Sequence, residues 1–266
     1  MNIFWFETKA QLKSFITWAA SLLGLFLLMV AVFYGAFMDS KDAVLKALES
    51  LPPVFALIFG VSVSTIFTFG GFFQFVYTYL GLIGAIMAAS LALSSFSREK
   101  RSKCVDFLLV KPVTRSRIFL CKLLSCLLLI VLTNLLFIAS SVIAYTANGQ
   151  SASGMGRLLL ASLSLFFMQV TFLSMGILYA TYARKVRSVS GIATAIGFAG
   201  FILMALHSLI KEEVIRYVSP LTYFNPGTVF LTGGYEIKFA VAAIILCVAC
   251  VALSYAKYVK SDTQAI

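Results

Sequence analysis

His207 is the only histidine in the chain, which excludes metal sites built on paired histidines and the HExxH zinc motif. A catalytic base needs an orienting partner and a nearby nucleophile. His207 stands beside Ser208 near the end of an apolar run and reads as interfacial packing. Gly60-Val61-Ser62 would form part of a serine nucleophile motif only with glycine next, and Val63 follows instead. Cys247-Val-Ala-Cys250 has the spacing of a redox or metal pair, yet it lies in an apolar run with no His, Asp or Glu near it, so these are small apolar side chains. No GxxxxGK[ST] loop is present to cradle a nucleotide phosphate. Polar residues do enter the apolar runs: Gln74, Thr78, Thr133, Asn134, Gln169 and Thr171. They either line a pathway or join helices by hydrogen bonds, which are common between helices in lipid. No Asp, Glu, Lys or Arg is expected well inside a run, which argues against transport powered by an ion gradient through a buried charge.

The elements that must position these residues follow from composition. Of 266 residues 61% are apolar and 12% charged, mean hydropathy is +0.99, and 21 Lys and Arg against 10 Asp and Glu leave a net charge of +11. That balance excludes a soluble enzyme and a disordered chain, and basic residues placed between apolar runs do not form a nucleic-acid face. A hydrocarbon core of about 30 Å needs roughly 20 helical residues. Six runs qualify, near Phe15–Met38, Phe72–Phe96, Ile118–Tyr145, Leu158–Ala183, Val189–Ile210 and Phe239–Ala256. The expected fold is all-α and polytopic, a single transmembrane domain over residues 1–266. The first run is too long for the apolar stretch of a cleaved signal peptide. Residues 1–14, with Trp5, Phe6, Lys9, Leu12 and Lys13, predict an amphipathic helix on the cytoplasmic surface.

Orientation follows the placement of Lys and Arg in short loops. With six crossings and both termini cytoplasmic, the inner side holds fifteen Lys and Arg against Glu7, Glu99, Asp106 and Asp262. The outer side holds six, Lys41, Lys46, Arg157, Lys211, Arg216 and Lys238, against six carboxylates, so the whole net charge falls inside. Two outer segments are expected, residues 39–71 and 211–238. In the first, Val44, Leu45, Leu48 and Leu51 predict a surface helix stopped by Pro52-Pro53, and Val54–Phe69 is re-entrant or interfacial. In the second, Tyr217, Tyr223, Phe224, Phe230 and Tyr235 suit an interfacial aromatic belt. Small residues at helical spacing, Gly81/Ala85/Ala89, Gly84/Ala88/Ala92 and Gly191/Ala195/Ala199, allow close helix approach, within one subunit or between two.

Eight of the basic residues, Arg98, Lys100, Arg101, Lys103, Lys111, Arg115, Arg117 and Lys122, crowd one cytoplasmic loop, residues 97–117 with its flank. Ser97 is positioned to cap a helix that begins at Arg98, carries an apolar strip of Cys104, Val105, Leu108 and Leu109, and stops at Pro112. Two uses fit such a helix. It lies on anionic lipid, each cation contributing about 1 kcal/mol near the surface, or it docks a soluble partner.

This loop resembles the one between the second and third spans of ABC-2 type permeases, the membrane subunits of ABC exporters. Glu99, Asp106, Leu108, Leu109, Pro112, Arg115 and Lys122 match the family pattern, while Lys103-Cys104 stands where Gly-Thr is usual. The layout is similar too: an amphipathic N-terminal helix, six spans, a broken outer segment before the second span and Ser219-Pro220…Tyr223-Phe224 after the fifth. The resemblance implies a subunit of a bacterial plasma membrane that is not itself an enzyme. It would pair with a second permease, identical or homologous, and dock separate ATPase subunits, with ATP and Mg on those partners and no cofactor on this chain. Arg98, Glu99, Arg101, Asp106, Leu108, Leu109, Pro112 and Arg115 would form the coupling contact. A membrane scaffold or immunity protein that binds a partner without moving a substrate is the alternative.

Overall fold

The computed structural model describes residues 3–50, 52, 65–102 and 114–260, with the side chains of residues 31, 48, 49 and 99–102 left aside. The helices in chain order are α1 (Ile3–Asp39), α2 (Lys41–Ser50), α3 (Phe69–Ser102), α4 (Arg115–Ala147), α5 (Met155–Tyr182), α6 (Val189–Ile210), α7 (Glu213–Val218), α8 (Pro226–Thr232) and α9 (Ile237–Lys260). Among the described residues six of these, α1, α3, α4, α5, α6 and α9, are long and apolar enough to cross a membrane, so the fold is that of an all-α polytopic membrane protein. Residues 53–64, which carry most of the expected re-entrant segment, lie outside the description, and α2 covers the helix expected before Pro52.

α3 is the centre of the bundle. In its most apolar stretch 78% of residues are buried, against 17% in α6, 22% in α9 and 29% in α1. α3 can hold that position because its small residues let neighbours come close. Ala85, Ala88, Ala89 and Ala92 are fully buried, and a Cβ added to Gly176 of α5 would sit 2.8 Å from the Ala92 Cβ and 3.1 Å from the Ala89 Cα. Gly197 of α6 meets Ile86 in the same way, at 2.5 Å. These stripes pack the subunit internally, as backbone contact in lipid requires. On α6 the stripe Gly191/Ala195/Ala199 is exposed, and it is Ala193, Gly197 and Gly200 that turn inward.

Ring contacts define the two ends of the bundle. At one, Phe96 of α3, Phe119 of α4 and Tyr255 and Tyr258 of α9 form an aromatic cluster, with the Phe96 and Phe119 centroids 5.1 Å apart. Both the first turns of α1 and the last turns of α9 are there, so the first and last described helices begin and end on the same side of the bundle. At the other, Tyr34, Phe69 and Tyr145 stack edge to face.

Three local expectations change. The N-terminal segment is helical, but it does not form a separate surface helix: it continues unbroken into the first span, and it buries Glu7, Thr8 and Gln11 while Trp5, Phe6, Leu12 and Ile16 are exposed together with Lys9 and Lys13. Lipid replaces water as the surroundings, so apolar side chains turn outward and polar ones find partners inside the protein. No helix starts at Ser97. α3 runs on to Ser102, because neither glycine nor proline interrupts the sequence between Ala85 and Pro112, and the Ser97 hydroxyl donates to the Leu93 carbonyl at 2.6 Å within the helix. The aromatic residues of the 211–238 segment are not all displayed at an interface. Tyr223 and Phe224 are buried in a small core with Phe239, Phe167 and Tyr235, and Phe230 packs on Phe73.

Candidate functional site

The described chain holds one dense ionic cluster, and it lies at the end where α1 begins and α9 ends. Three helices contribute to it. Glu7 projects from the second turn of α1 on the buried stripe that continues through Gln11, Phe15, Ala19, Leu22 and Phe26. Lys122 stands on α4, seven residues after its start at Arg115, on a stripe shared with Ser125, Cys126, Leu129 and Thr133. Arg98 stands on α3, four residues before Ser102. The Lys122 ammonium is fully buried, 3.0 Å from Glu7 Oε1 and donating at 2.7 Å to the Ser95 carbonyl. The Arg98 guanidinium approaches Glu7 Oε2 at 3.1 Å, and Ser95 Oγ donates to the same oxygen at 3.3 Å. Beside this, Thr8 and Ser125 share a hydrogen bond of 3.0 Å, and Gln11 Nε2 donates to Cys126 Sγ at 3.7 Å. A buried ammonium is costly in an apolar surround and is held here by a carboxylate with which every contact is close.

This cluster corrects the expectation that the charges stay clear of the spans. Lys122 lies inside the third one, and Glu7, expected at the surface, is buried beside it. Sequence signals for both exist: Glu7 and Gln11 fall one helical turn apart on the stripe that later carries Phe15 and Leu22, and Lys122 precedes Cys126 and Thr133 on one face.

A second polar group lies midway along the bundle. Asn134 Nδ2 of α4 donates to Gln169 Oε1 of α5 at 2.7 Å and to its own Ile130 carbonyl at 2.9 Å, and Gln169 Nε2 reaches the Met87 sulfur of α3 at 3.8 Å. Asn134 and Gln169 are buried and tie the three helices together. Thr78 and Thr171 instead donate back to the carbonyls of Gln74 and Phe167, a turn earlier on their own helices, and Cys247 Sγ approaches the Thr171 hydroxyl at 3.7 Å. Gln74 is apart from these, in the wall of a cavity of about 320 Å³ at the opposite end, between the start of α3, the end of α4 and α8. Gly227 of α8 faces it so closely that an added Cβ would overlap the Gln74 amide. Arg157 borders the same cavity and donates to the Phe230 carbonyl at 3.1 Å.

The 211–238 segment is held at that opposite end by polar clamps. Arg216 makes a two-point contact with Glu236, at 2.6 and 3.0 Å, and its guanidinium lies 3.8 Å from the Phe239 ring centre. The phenols of Tyr223 and Tyr235 donate to the Tyr217 and Leu160 carbonyls. Burial raises the pKa of the Tyr235 phenol, against a smaller lowering from the Ser164 hydrogen bond, so it remains a proton donor at neutral pH. His207 accepts the amide of Lys211 at its own carbonyl as α6 ends, with Lys211 in the left-handed conformation, and its ring Nδ1 lies 3.3 Å from the Glu212 carbonyl.

A family model described as ABC-2 family transporter protein matches residues 1–263. The chain belongs to the ABC-2 transporter family. It is therefore a permease subunit of an ABC transporter and a multi-pass membrane protein, as the loop motif implied. No curated protein and no solved structure matches it. Within this ABC-2 permease, the residues that the resemblance assigns to coupling divide by position. Arg98 joins the ionic cluster with Glu7 and Lys122, Glu99 and Arg101 belong to the last turn of α3, and Arg115 opens α4 after an extended Thr114. Asp106, Leu108, Leu109 and Pro112 lie outside the described residues.

Proposed function

We propose that this permease is the membrane subunit of an ATP-driven exporter, that the end where α1 begins and α9 ends is cytoplasmic, and that separate ATPase subunits dock on the 98–112 segment. It pairs with a second permease to enclose the transport path. The observation that carries this reading is the concentration of charge: besides Arg98 and Lys122, six Lys and Arg fall between positions 100 and 117 of a chain that has no phosphate loop of its own, so energy must enter through a partner at this basic loop. Permeases of this family typically work with ATPase subunits, which supports that class of partner; ATP and Mg would then be bound by the partner. Glu99, Arg101 and Asp106 supply ionic contacts and Leu108 and Leu109 the apolar ones.

Affinity purification of the tagged chain in mild detergent tests the assembly, with mass spectrometry reading which ATPase and how many permease copies come with it. Glu99→Lys reverses one contact charge, and the expected result is loss of co-purified ATPase or of ATP turnover stimulated by the permease. Unchanged pull-down together with unchanged turnover refutes the assigned role.

A further inference from the structure

We propose that Glu7 is the positioning residue of the 98–112 segment: one carboxylate on the N-terminal helix holds both flanks of that segment, through Arg98 before it and Lys122 after it. The proposal deepens the docking reading and rests on it for its significance, though not for its geometry.

Glu7 is the only acid before Asp39, and it is 4% exposed. Its two oxygens are divided between two helices: Oε1 takes the α4 ammonium at 3.0 Å and Oε2 the α3 guanidinium at 3.1 Å. The flanks are also tied to each other, since Lys122 donates to the Ser95 carbonyl at 2.7 Å while the Ser95 hydroxyl donates to Glu7. Apolar packing at this place would tolerate sliding of α3 past α4. A carboxylate shared between two cations resists it, because displacement of either flank by an ångström or two breaks a short charged contact in a site where the Lys122 side chain is fully buried. The rest of this end of α1 adds to the same attachment: the Thr8–Ser125 and Gln11–Cys126 pairs lie on the same stripe, and the Arg98 guanidinium lies 5.9 Å from the Phe6 ring centre. The cluster therefore makes the first turns of α1 move with the two ends of the segment, and a push on the segment is passed to the helix that leads the chain across the membrane.

Limited trypsin digestion of the full chain, purified in detergent, reads the effect directly, since Lys100, Arg101, Lys103 and Lys111 lie within the segment. In Glu7→Gln the cleavage rate between residues 98 and 117 is expected to rise about tenfold, as local opening becomes easier. Loss of fold is separated from loss of position by the paired variant Glu7→Gln with Lys122→Met, which removes both charges and preserves side-chain volume. Replacing a buried ion pair in this way is close to neutral for stability, and Arg98, whose side chain is 24% exposed, keeps access to its surroundings when Glu7 is neutral. The pair is expected to keep its thermal midpoint yet still cleave about as fast as Glu7→Gln, by the same local opening. Wild-type cleavage rates in the folded paired variant overturn the proposal, and so does a Glu7→Gln protein that folds and cleaves as wild type. A second arm repeats the digestion with the co-purified ATPase. Protection of the wild-type segment by the ATPase supports docking there, and its absence overturns docking while the comparison on the chain alone still decides the role of Glu7.

Discussion

Gly176 gives the sharpest test of how the bundle is packed. A Cβ placed there would lie 2.8 Å from the Ala92 Cβ, 3.1 Å from the Ala89 Cα and 3.2 Å from the Ala89 carbonyl oxygen. Carbon atoms rest about 3.5–4.0 Å apart, so Gly176→Val is short of room on three sides before its γ-methyls are counted. Two of those neighbours are α3 backbone and cannot swing away, which leaves movement of α5 as the only relief. Overpacking of this kind costs about 1–3 kcal/mol. Gly24 on α1 is the control, because nothing lies within 4 Å of its Cβ position. Both substitutions change helix propensity equally, so their difference isolates the crossing of α3 with α5. For a chain of this size each kcal/mol shifts the thermal midpoint by about 2–4 °C. Heating the detergent-solubilised protein and following the monodisperse fraction should therefore place Gly176→Val several degrees below Gly24→Val. Ala92→Gly added to Gly176→Val should recover part of the loss, since it removes the nearest atom but not the Ala89 backbone. Equal midpoints for the two valine variants would refute the close crossing.

Two further outcomes follow from the polar contacts. A double-mutant cycle of Asn134→Leu and Gln169→Leu should show a coupling of about 0.6 kcal/mol and no more than about 1.7 kcal/mol, the range for hydrogen bonds between membrane helices; SDS-induced unfolding measures it, and a coupling of zero would mean that the 2.7 Å bond is not formed in the membrane. Arg216→Ala should speed hydrogen exchange across residues 213–225, and Arg216→Lys should not rescue it, because an ammonium cannot make the two-point contact with Glu236 while lying on the Phe239 ring.

The spans were legible because each is an uncharged run near the thickness of a bilayer, a property that needs no knowledge of neighbours. The same reasoning misplaces residues 3–14. An amphipathic helix in water turns Glu7, Thr8 and Gln11 outward, and in the bundle these residues turn inward while Trp5 and Phe6 face out. Hydrophobic periodicity identifies two faces of a helix, and only the solvent decides which of them is the outside. Lys122 shows the same difficulty from another direction. Four residues into an apolar run, it scores as the last charge of a loop, and its burial depends on an acid 115 positions earlier in the chain. The start of the 98–112 helix was misjudged for a local reason: Ser97 has the chemistry of a cap, but with helix formers on both sides the helix simply continues.

The ionic cluster also divides the basic loop into two classes that composition alone treats as one. Arg98 and Lys122 bind the same carboxylate, so their charge is committed within the subunit. Glu7 offsets one of the two positive charges, and the buried Lys122 ammonium holds helices together while contributing little to a surface potential. On the docking reading proposed above, attraction to an ATPase or to anionic headgroups rests on the remaining loop cations, Lys100, Arg101, Lys103, Lys111, Arg115 and Arg117. The two classes predict different salt behaviour. If the six loop residues carry the attraction, it should weaken as ionic strength rises, because salt screens charge interactions beyond about 10 Å at 0.1 M. The trypsin resistance conferred by Glu7 should persist at the same salt, since ions do not enter a site in which the Lys122 side chain is 0% exposed.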